Sequence, residues 1–377
     1  MDISVIIPTF NEGNNVQTIT NRLSKALQPT GKSFEILFMD DSTDNTPEIL
    51  DQLSQDASFV RYIHRTNKRG LATAVIDGLK DAEGEILVVM DADLQHPPEL
   101  IPTMIDKLNE GFQMVIPSRF VPGGSDGGLN LYRKFVSWTA RMIARLALKR
   151  LRKITDPTSG FFAVKKSAIQ GNIYHPIGWK IMIELIVRAN ITSVAEIPYQ
   201  FQSRDLGSSK MSGSEQVRYL IHLGRLVMIS EEDRKFFSFC AIGLSGVIVN
   251  LAIYKVMLLL NSPVVIAFIL SSIVSMISNY LLNSTLTWKS RVMHQTSGRI
   301  IQFFRYLLVS TAGLAISSGF LSFLFYILHV HPMLSGILGI VTGVIWNYVV
   351  NDKWTFSTHR LIKTAKTMET VTNDGQK

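Results

Sequence analysis

The chain has 377 residues, 46 % of them apolar, with a net charge of +8 and one cysteine, Cys240. A single cysteine excludes an intramolecular disulfide and a thiolate metal cluster, and the length exceeds one ordinary domain. The basic residues crowd beside apolar segments, which suits an anionic membrane surface and phosphate-bearing substrates and argues against nucleic acid as a partner.

The mean hydropathy of +0.19 averages two unlike halves. Residues 1–235 carry the alternating signals of an α/β protein, whereas most of 236–350 is apolar. The start, Met1-Asp-Ile-Ser-Val-Ile-Ile-Pro8, has no basic n-region and reads as a strand, so this half is expected in the cytoplasm. Strands are predicted at Ile3–Pro8, Phe34–Met39, Val60–His64 and Ile86–Met90. Helices are predicted at Asn14–Leu27, after Thr43-Asp44-Asn45, and at Gly70–Ala82 behind a basic Asn67-Lys-Arg-Gly70 turn. This alternation predicts a Rossmann-like, mainly parallel sheet with helices on both faces and ligands beyond the strand C-termini. Tyr132–Lys153 reads as a basic amphipathic helix, fit either to lie on an anionic bilayer or to pack on its own sheet. Val217–Met228 is a second candidate of that kind.

Four apolar segments follow, Phe236–Leu260, Val264–Trp288, Tyr306–Leu328 and Met333–Val350. Each is close to the ~20 residues that cross a bilayer, which predicts an all-α membrane domain of four transmembrane helices. Lys289, Arg291 and Arg299 separate the middle pair, and Lys353, Arg360, Lys363 and Lys366 follow the last. The other two loops hold no Lys or Arg, so both termini and the first half are expected on the cytoplasmic side of a cell membrane. The segments also repeat. Phe236-Phe-Ser-Phe239…Gly246 recurs 67 residues later as Phe303-Phe-Arg-Tyr306…Gly313, and Asn279-Tyr-Leu-Leu-Asn283…Trp288 recurs 68 later as Asn347-Tyr-Val-Val-Asn351…Phe356. Two helices per unit make a duplicated hairpin with an axis along the membrane normal. The expected division is 1–230, 236–357 and a polar tail, 358–377.

Chemistry concentrates where the strands end. Ile86–Met90 delivers Asp91-x-Asp93, with Gln95 beyond, and such an oxygen set suits a hard divalent cation that bridges a nucleotide diphosphate. Pro8, Phe10 and Glu12 end the first strand, where a ring and a carboxylate suit a base and ribose. Met39 and Asp41 end the second, where a carboxylate suits a base edge. Arg119, Arg133, Arg204 and Lys210 supply cations for a further phosphate. Bland readings stand beside these: one of Asp40 and Asp41 as a turn residue, Asp156 as a turn and cap, Glu184 as structural.

The ordered motifs Ser4-Val-Ile-Ile-Pro-Thr-Phe-Asn-Glu12, Met39-Asp-Asp-Ser-Thr-Asp44, Asn67-Lys-Arg-Gly-Leu71, Met90-Asp-Ala-Asp-Leu-Gln-His-Pro97, Asp156-Pro-Thr-Ser-Gly-Phe161 and Ser208-Ser-Lys-Met-Ser212 resemble the inverting family-2 glycosyltransferases of GT-A fold. Within them the likeness is to the dolichol/polyprenyl-phosphate mannose synthase group, over about residues 1–230. The apolar half resembles the GtrA-like domain. The resemblance implies transfer of a hexose from GDP-mannose or a UDP-sugar to a polyprenyl (dolichyl or undecaprenyl) phosphate, with inversion. It assigns Pro8, Phe10, Glu12, Met39 and Asp41 to the nucleoside, and Asp91, Ala92, Asp93 and Gln95 to Mg²⁺ or Mn²⁺ and the diphosphate. Arg119, Arg133, Ser137, Arg204 and Lys210 fall to the lipid phosphate. Phe10 stands where the family more often has Tyr, which leaves the donor sugar open. Two other readings remain at this point: a flippase or membrane organiser with the enzyme tethered, and a processive polysaccharide synthase, which the absence of Gln-x-x-Arg-Trp opposes. A homo-oligomer formed through the membrane domain also stays open.

Overall fold

The first apolar run, Ile3–Thr9, forms β1, and all of its residues are buried. A strand without hydrophobic alternation must be covered on both faces, and β1 is central. It pairs in parallel with β2 (Phe34–Asp40) on one side and β4 (Ile86–Val89) on the other. β3 (Val60–His64) extends the parallel set from β2. Beyond β4, β6 (Phe162–Lys165) pairs antiparallel with both β4 and β5 (Met114–Ser118), and β5 pairs in parallel with β7 (Val194–Pro198). Two antiparallel steps restore the original direction. The C-terminal ends of β1, β2, β4, β5 and β7 and the start of β6 therefore share one rim of the β3-β2-β1-β4-β6-β5-β7 sheet.

This computed structural model describes residues 1–66, 70–127, 131–175, 177–178, 180–201, 213–293 and 295–357. Its two compact units are Met1–Glu231 and Glu232–Lys377. In the first, α1 (Gly13–Leu27), α2 (Thr46–Asp56) and α4 (Ile101–Asn109) cover one face of the sheet, with Val16, Ile19, Leu23, Leu50 and Met104 packed on Val5, Ile7 and Phe38. The other face carries α3 (Leu71–Asp81), α5 (Leu131–Ala147), α7 (Ile181–Arg188) and α8 (Gly213–Ile229), with Val75, Ala144, Leu185 and Leu226 over Ile6, Leu37 and Met39. A short helix, α6 (Lys166–Ile169), follows β6. A Cβ at Gly78 of α3 would come within 2.5 Å of Ile6, so only glycine allows that helix its approach to the sheet.

The basic helix is shorter than the sequence predicts. It stops at Ala147 because Leu148 turns extended to bury its side chain, and the Arg145 guanidinium donates to Arg152 O at 2.8 and 3.2 Å across the bend. The two expectations for it divide by face. Tyr219 of α8 donates to Ala140 O at 2.8 Å and Ala144 is buried, while Phe135, Trp138 and Leu146 are 63 %, 51 % and 67 % exposed.

The second unit holds α9 (Glu231–Leu259), α10 (Val264–Leu282), α11 (Thr296–Ser322) and α12 (Pro332–Val350), four helices long and apolar enough to cross a membrane. The first and third start further upstream than their apolar stretches predict. π-helical turns at Asn283–Thr287 and Asn351–Thr355 continue the second and fourth, and another at Phe323–Ile327 continues the third. The duplication is visible in the packing. Phe239–Tyr348 and its counterpart Tyr306–Tyr280 both lie at 5.6 Å, and Phe236–Tyr348 and Phe303–Tyr280 at 5.1 and 5.2 Å. Trp288 and Phe356, equivalent in the two repeats, stack on each other at 4.7 Å with planes 8° apart, which places a pseudo-two-fold axis at that stack. The side chains of Asn279 and Asn347 press on Gly246 and Gly313, where any Cβ would collide with them.

Candidate active site

At the end of β1, Pro8 is buried beside Met39, and Phe10 projects 41 % exposed. Asn11 takes a positive φ of 57°, held by Ser42 Oγ, which accepts its N–H at 2.7 Å. The Glu12 carboxylate accepts from Asn15 Nδ2 at 2.7 Å. Met39 is fully buried in the core, so its backbone alone is available to a ligand. Of the two aspartates ending β2, Asp40 is structural: its buried carboxylate accepts from Thr9 and Ser42 hydroxyls and bonds His64 Nδ1 at 2.7 Å. Asp41 is the one directed to the rim. Its Oδ2 accepts Gly70 N–H at 2.9 Å, Arg65 Nη1 lies 3.6 Å from Oδ1, and Oδ1 has no hydrogen-bond partner among the described residues.

Beyond β4 the chain turns sharply. Leu94 has φ 63°, and Asp93 Oδ1 accepts the N–H of Gln95 at 3.2 Å. Ala92 is buried, while Asp91, Asp93 and Gln95 remain partly exposed. Two carboxylates and an amide oxygen in one accessible turn fit Mg²⁺ or Mn²⁺ by the hardness of their donors. The sequence reading missed the brace behind them. His96 Nδ1 accepts the Asp91 N–H at 3.1 Å, which puts the ring proton on Nε2, and the ring stacks on Phe161 at 5.2 Å. A Cβ at Gly160 would come within 3.1 Å of Asp91 Oδ2.

β5 carries Arg119 to the same rim, where Asp156 holds it with a bidentate pair at 2.8 and 3.2 Å. Burial works against the Arg119 charge, but the Asp156 carboxylate prevails and keeps its pKa raised. Asp156 is itself locked. Glu196 of β7 accepts the N–H groups of Thr155 and Asp156 at 2.9 to 3.1 Å, and Ser118 Oγ meets Thr155 Oγ1 at 2.6 Å. The turn reading of Asp156 is thus incomplete, since it is the counter-ion of Arg119. Lys180, just ahead of α7, donates to Thr158 O. Its stem is partly exposed, but burial of the ammonium pushes its pKa down to about 7, against the pull of Asp156 and Asp91. Nothing in the sequence marks it, because a lone lysine before an apolar helix has no pattern. The Phe201 ring lies 5.2 Å from the Arg119 guanidinium and 6.5 Å from the His96 ring behind Asp91, so acidic and basic groups belong to one site.

Arg133 lies in the first turn of α5 and Ser137 one turn later, partly buried. Arg204 and Lys210 lie outside the described residues, as do Asn67-Lys-Arg69 and the tail from 358. Glu184 proves structural: it is fully buried, accepts His175 N–H at 2.6 Å, and pairs with Arg188 and His222 at 2.7 and 3.0 Å.

Comparison with known proteins agrees with this architecture. Residues 4–171 match the glycosyl transferase family 2 model, and residues 238–356 match the GtrA/DPMS transmembrane domain. A dolichol-phosphate mannosyltransferase of Pyrococcus furiosus is 36 % identical over 95 % of this chain and 100 % of its own. One of Saccharomyces cerevisiae is 38 % identical over 60 % of this chain and 87 % of its own. Among solved structures, glucosyl-3-phosphoglycerate synthase of Mycobacterium tuberculosis is 19 % identical, with a TM-score of 0.48 over 60 % of this chain and 79 % of that one. Sheet order, rim chemistry and full-length likeness converge: the chain is a membrane-bound glycosyltransferase and belongs to family 2, in the dolichol-phosphate mannosyltransferase group.

Proposed function

We propose that the enzyme transfers a hexose, with inversion, from a nucleotide sugar to the phosphate of a polyprenyl carrier at the cytoplasmic face of a cell membrane. The observation that carries this is one rim on which the Phe201 ring meets both the Arg119 guanidinium, 5.2 Å from its centroid, and the His96 ring that braces Asp91, 6.5 Å away. An acidic turn for a metal-bound diphosphate beside fixed cations for a second anion matches two phosphate-bearing substrates. In this reading Pro8, Phe10, Glu12, Met39 and Asp41 cradle the nucleoside, Met39 through its backbone. Asp91, Asp93 and Gln95 would hold Mg²⁺ or Mn²⁺, which neutralises charge on the leaving diphosphate when bound. Arg119, Arg133, Ser137, Arg204 and Lys210 take the lipid phosphate. That acceptor is ionised near neutral pH, so the residues must align its oxygen with C1 rather than abstract a proton. The relatives' name makes mannose the first sugar to test.

Residues 1–230 are then the catalytic domain, 236–357 the membrane anchor and 358–377 a cytoplasmic tail. The apolar faces of α5 and α8, where Trp138, Leu146, Leu220 and Ile221 are exposed, rest on the bilayer and keep the acceptor site at lipid level. The test is transfer by the purified enzyme after chelation. EDTA should abolish product, Mn²⁺ or Mg²⁺ should restore it, and Asp93→Ala should resist restoration. Full activity in EDTA would exclude the metal-dependent form of the reading.

A further inference from the structure

Two guanidinium groups share the ring of Phe120. Arg141 Cζ lies 3.4 Å from its centroid and Arg119 Cζ lies 5.1 Å away. Arg141 belongs to α5, at i+8 from Arg133 and i+4 from Ser137, so all three positions fall on one stripe of that helix. Its Nη1 donates to Thr155 O at 3.3 Å, the carbonyl just before the carboxylate that holds Arg119. Arg141 therefore braces the Arg119–Asp156 pair from two sides, through Phe120 and through the backbone at Thr155.

Among the described residues Arg141 has no carboxylate within ion-pair distance, and its buried Nε has no hydrogen-bond partner. The one fully buried carboxylate of the cluster, Asp156, is committed to Arg119. Burial pushes the pKa of Arg141 down; Asp156 and, more weakly, Asp126 oppose this, and the nearby Arg119 and Arg145 charges add to it. Asp126 faces Lys134 at 3.2 Å and the Glu196 carboxylate is occupied by the Thr155 and Asp156 N–H groups, so among the described residues no carboxylate is paired with Arg141, and a guanidinium so placed suits an anion.

We infer that Arg141 is a positioning residue for the phosphate acceptor: it fixes Arg119 through Phe120 and Thr155 and adds a further positive charge that draws a lipid phosphate to this end of the rim. The inference rests on the acceptor reading above but names a residue that reading does not use. Lys180 is a less direct candidate for the same role, because its ammonium is already engaged by Thr158 O.

The test uses the full-length enzyme in lipid–detergent micelles, with undecaprenyl phosphate for transfer and farnesyl phosphate for direct binding by calorimetry. Arg141→Gln should raise the acceptor KM and weaken farnesyl phosphate binding, each about tenfold. The donor KM and melting temperature should stay at their wild-type values. Arg141→Lys, which keeps the charge, should recover most of the acceptor KM, and Phe120→Leu should reproduce part of the loss. An Arg141→Gln enzyme whose acceptor KM and farnesyl phosphate binding match wild type overturns the inference. So does one in which donor KM, acceptor KM and melting temperature all worsen together without rescue by Lys, since that is a packing role. If wild type binds farnesyl phosphate but transfers no sugar to undecaprenyl phosphate, the acceptor reading fails, and loss of binding in Arg141→Gln still supports the inference.

Discussion

Asp156 and Lys180 decide how the rim is charged, and each makes a separate prediction. Removing one partner of a buried ion pair strands the other, at a cost of about 3–5 kcal/mol. Asp156→Ala should lower thermal stability by that order and impair acceptor use, because Arg119 loses both of its bonds. For Lys180 the folded pKa, about 7, lies below its ordinary 10.5, so the unfolded state binds more protons between those values. The lysine's penalty on folding is fully present below pH 7 and relieved as pH rises towards 10.5. Lys180→Met should therefore flatten the rise of melting temperature with pH across that window. An unchanged slope would show that this ammonium is not shielded. At this scale the sequence was readable only where function repeats a spacing. Asp91-x-Asp93 announces itself, whereas the partner of Arg119 lies 37 residues away and no local pattern joins them.

Among the elements, the parallel half of the sheet was legible because β1, β2 and β4 are predominantly apolar runs. The antiparallel β6, inserted between β4 and β5, was not, since the pairing of Phe162–Lys165 is settled by strands distant in the chain. The π-helical turns at Asn283–Thr287 and Asn351–Thr355 likewise escaped a reading based on 3.6-residue periodicity, although their equivalence was implicit in the repeat. The packing of the hairpins gives a test. Gly246→Val would drive its side chain into Asn279, and overpacking of this kind costs about 1–3 kcal/mol. Its melting temperature in detergent should fall, and Gly313→Val, which meets Asn347, should behave alike. A fall at one position alone would mean that the two hairpins are not energetically equivalent.

For the whole molecule, a long-range contrast in composition foretold an α/β half and a membrane half, because apolar runs of bilayer length need no tertiary information to be seen. The roles of the two halves can be separated. Truncation after residue 232 keeps the entire seven-stranded sheet with both of its cores, and the product should still form from a soluble nucleotide sugar and detergent-dispersed polyprenyl phosphate. If the truncated protein folds but transfers nothing, the membrane helices contribute to the reaction itself. The most direct measurement is to incubate membranes containing the full chain with GDP- and UDP-sugars and undecaprenyl phosphate, then weigh the lipids by mass spectrometry. The account predicts a lipid heavier by one hexose on its phosphate, formed in proportion to nucleotide diphosphate released. Nucleotide release with the lipid phosphate unmodified, or hexose chains growing on another acceptor, would contradict it.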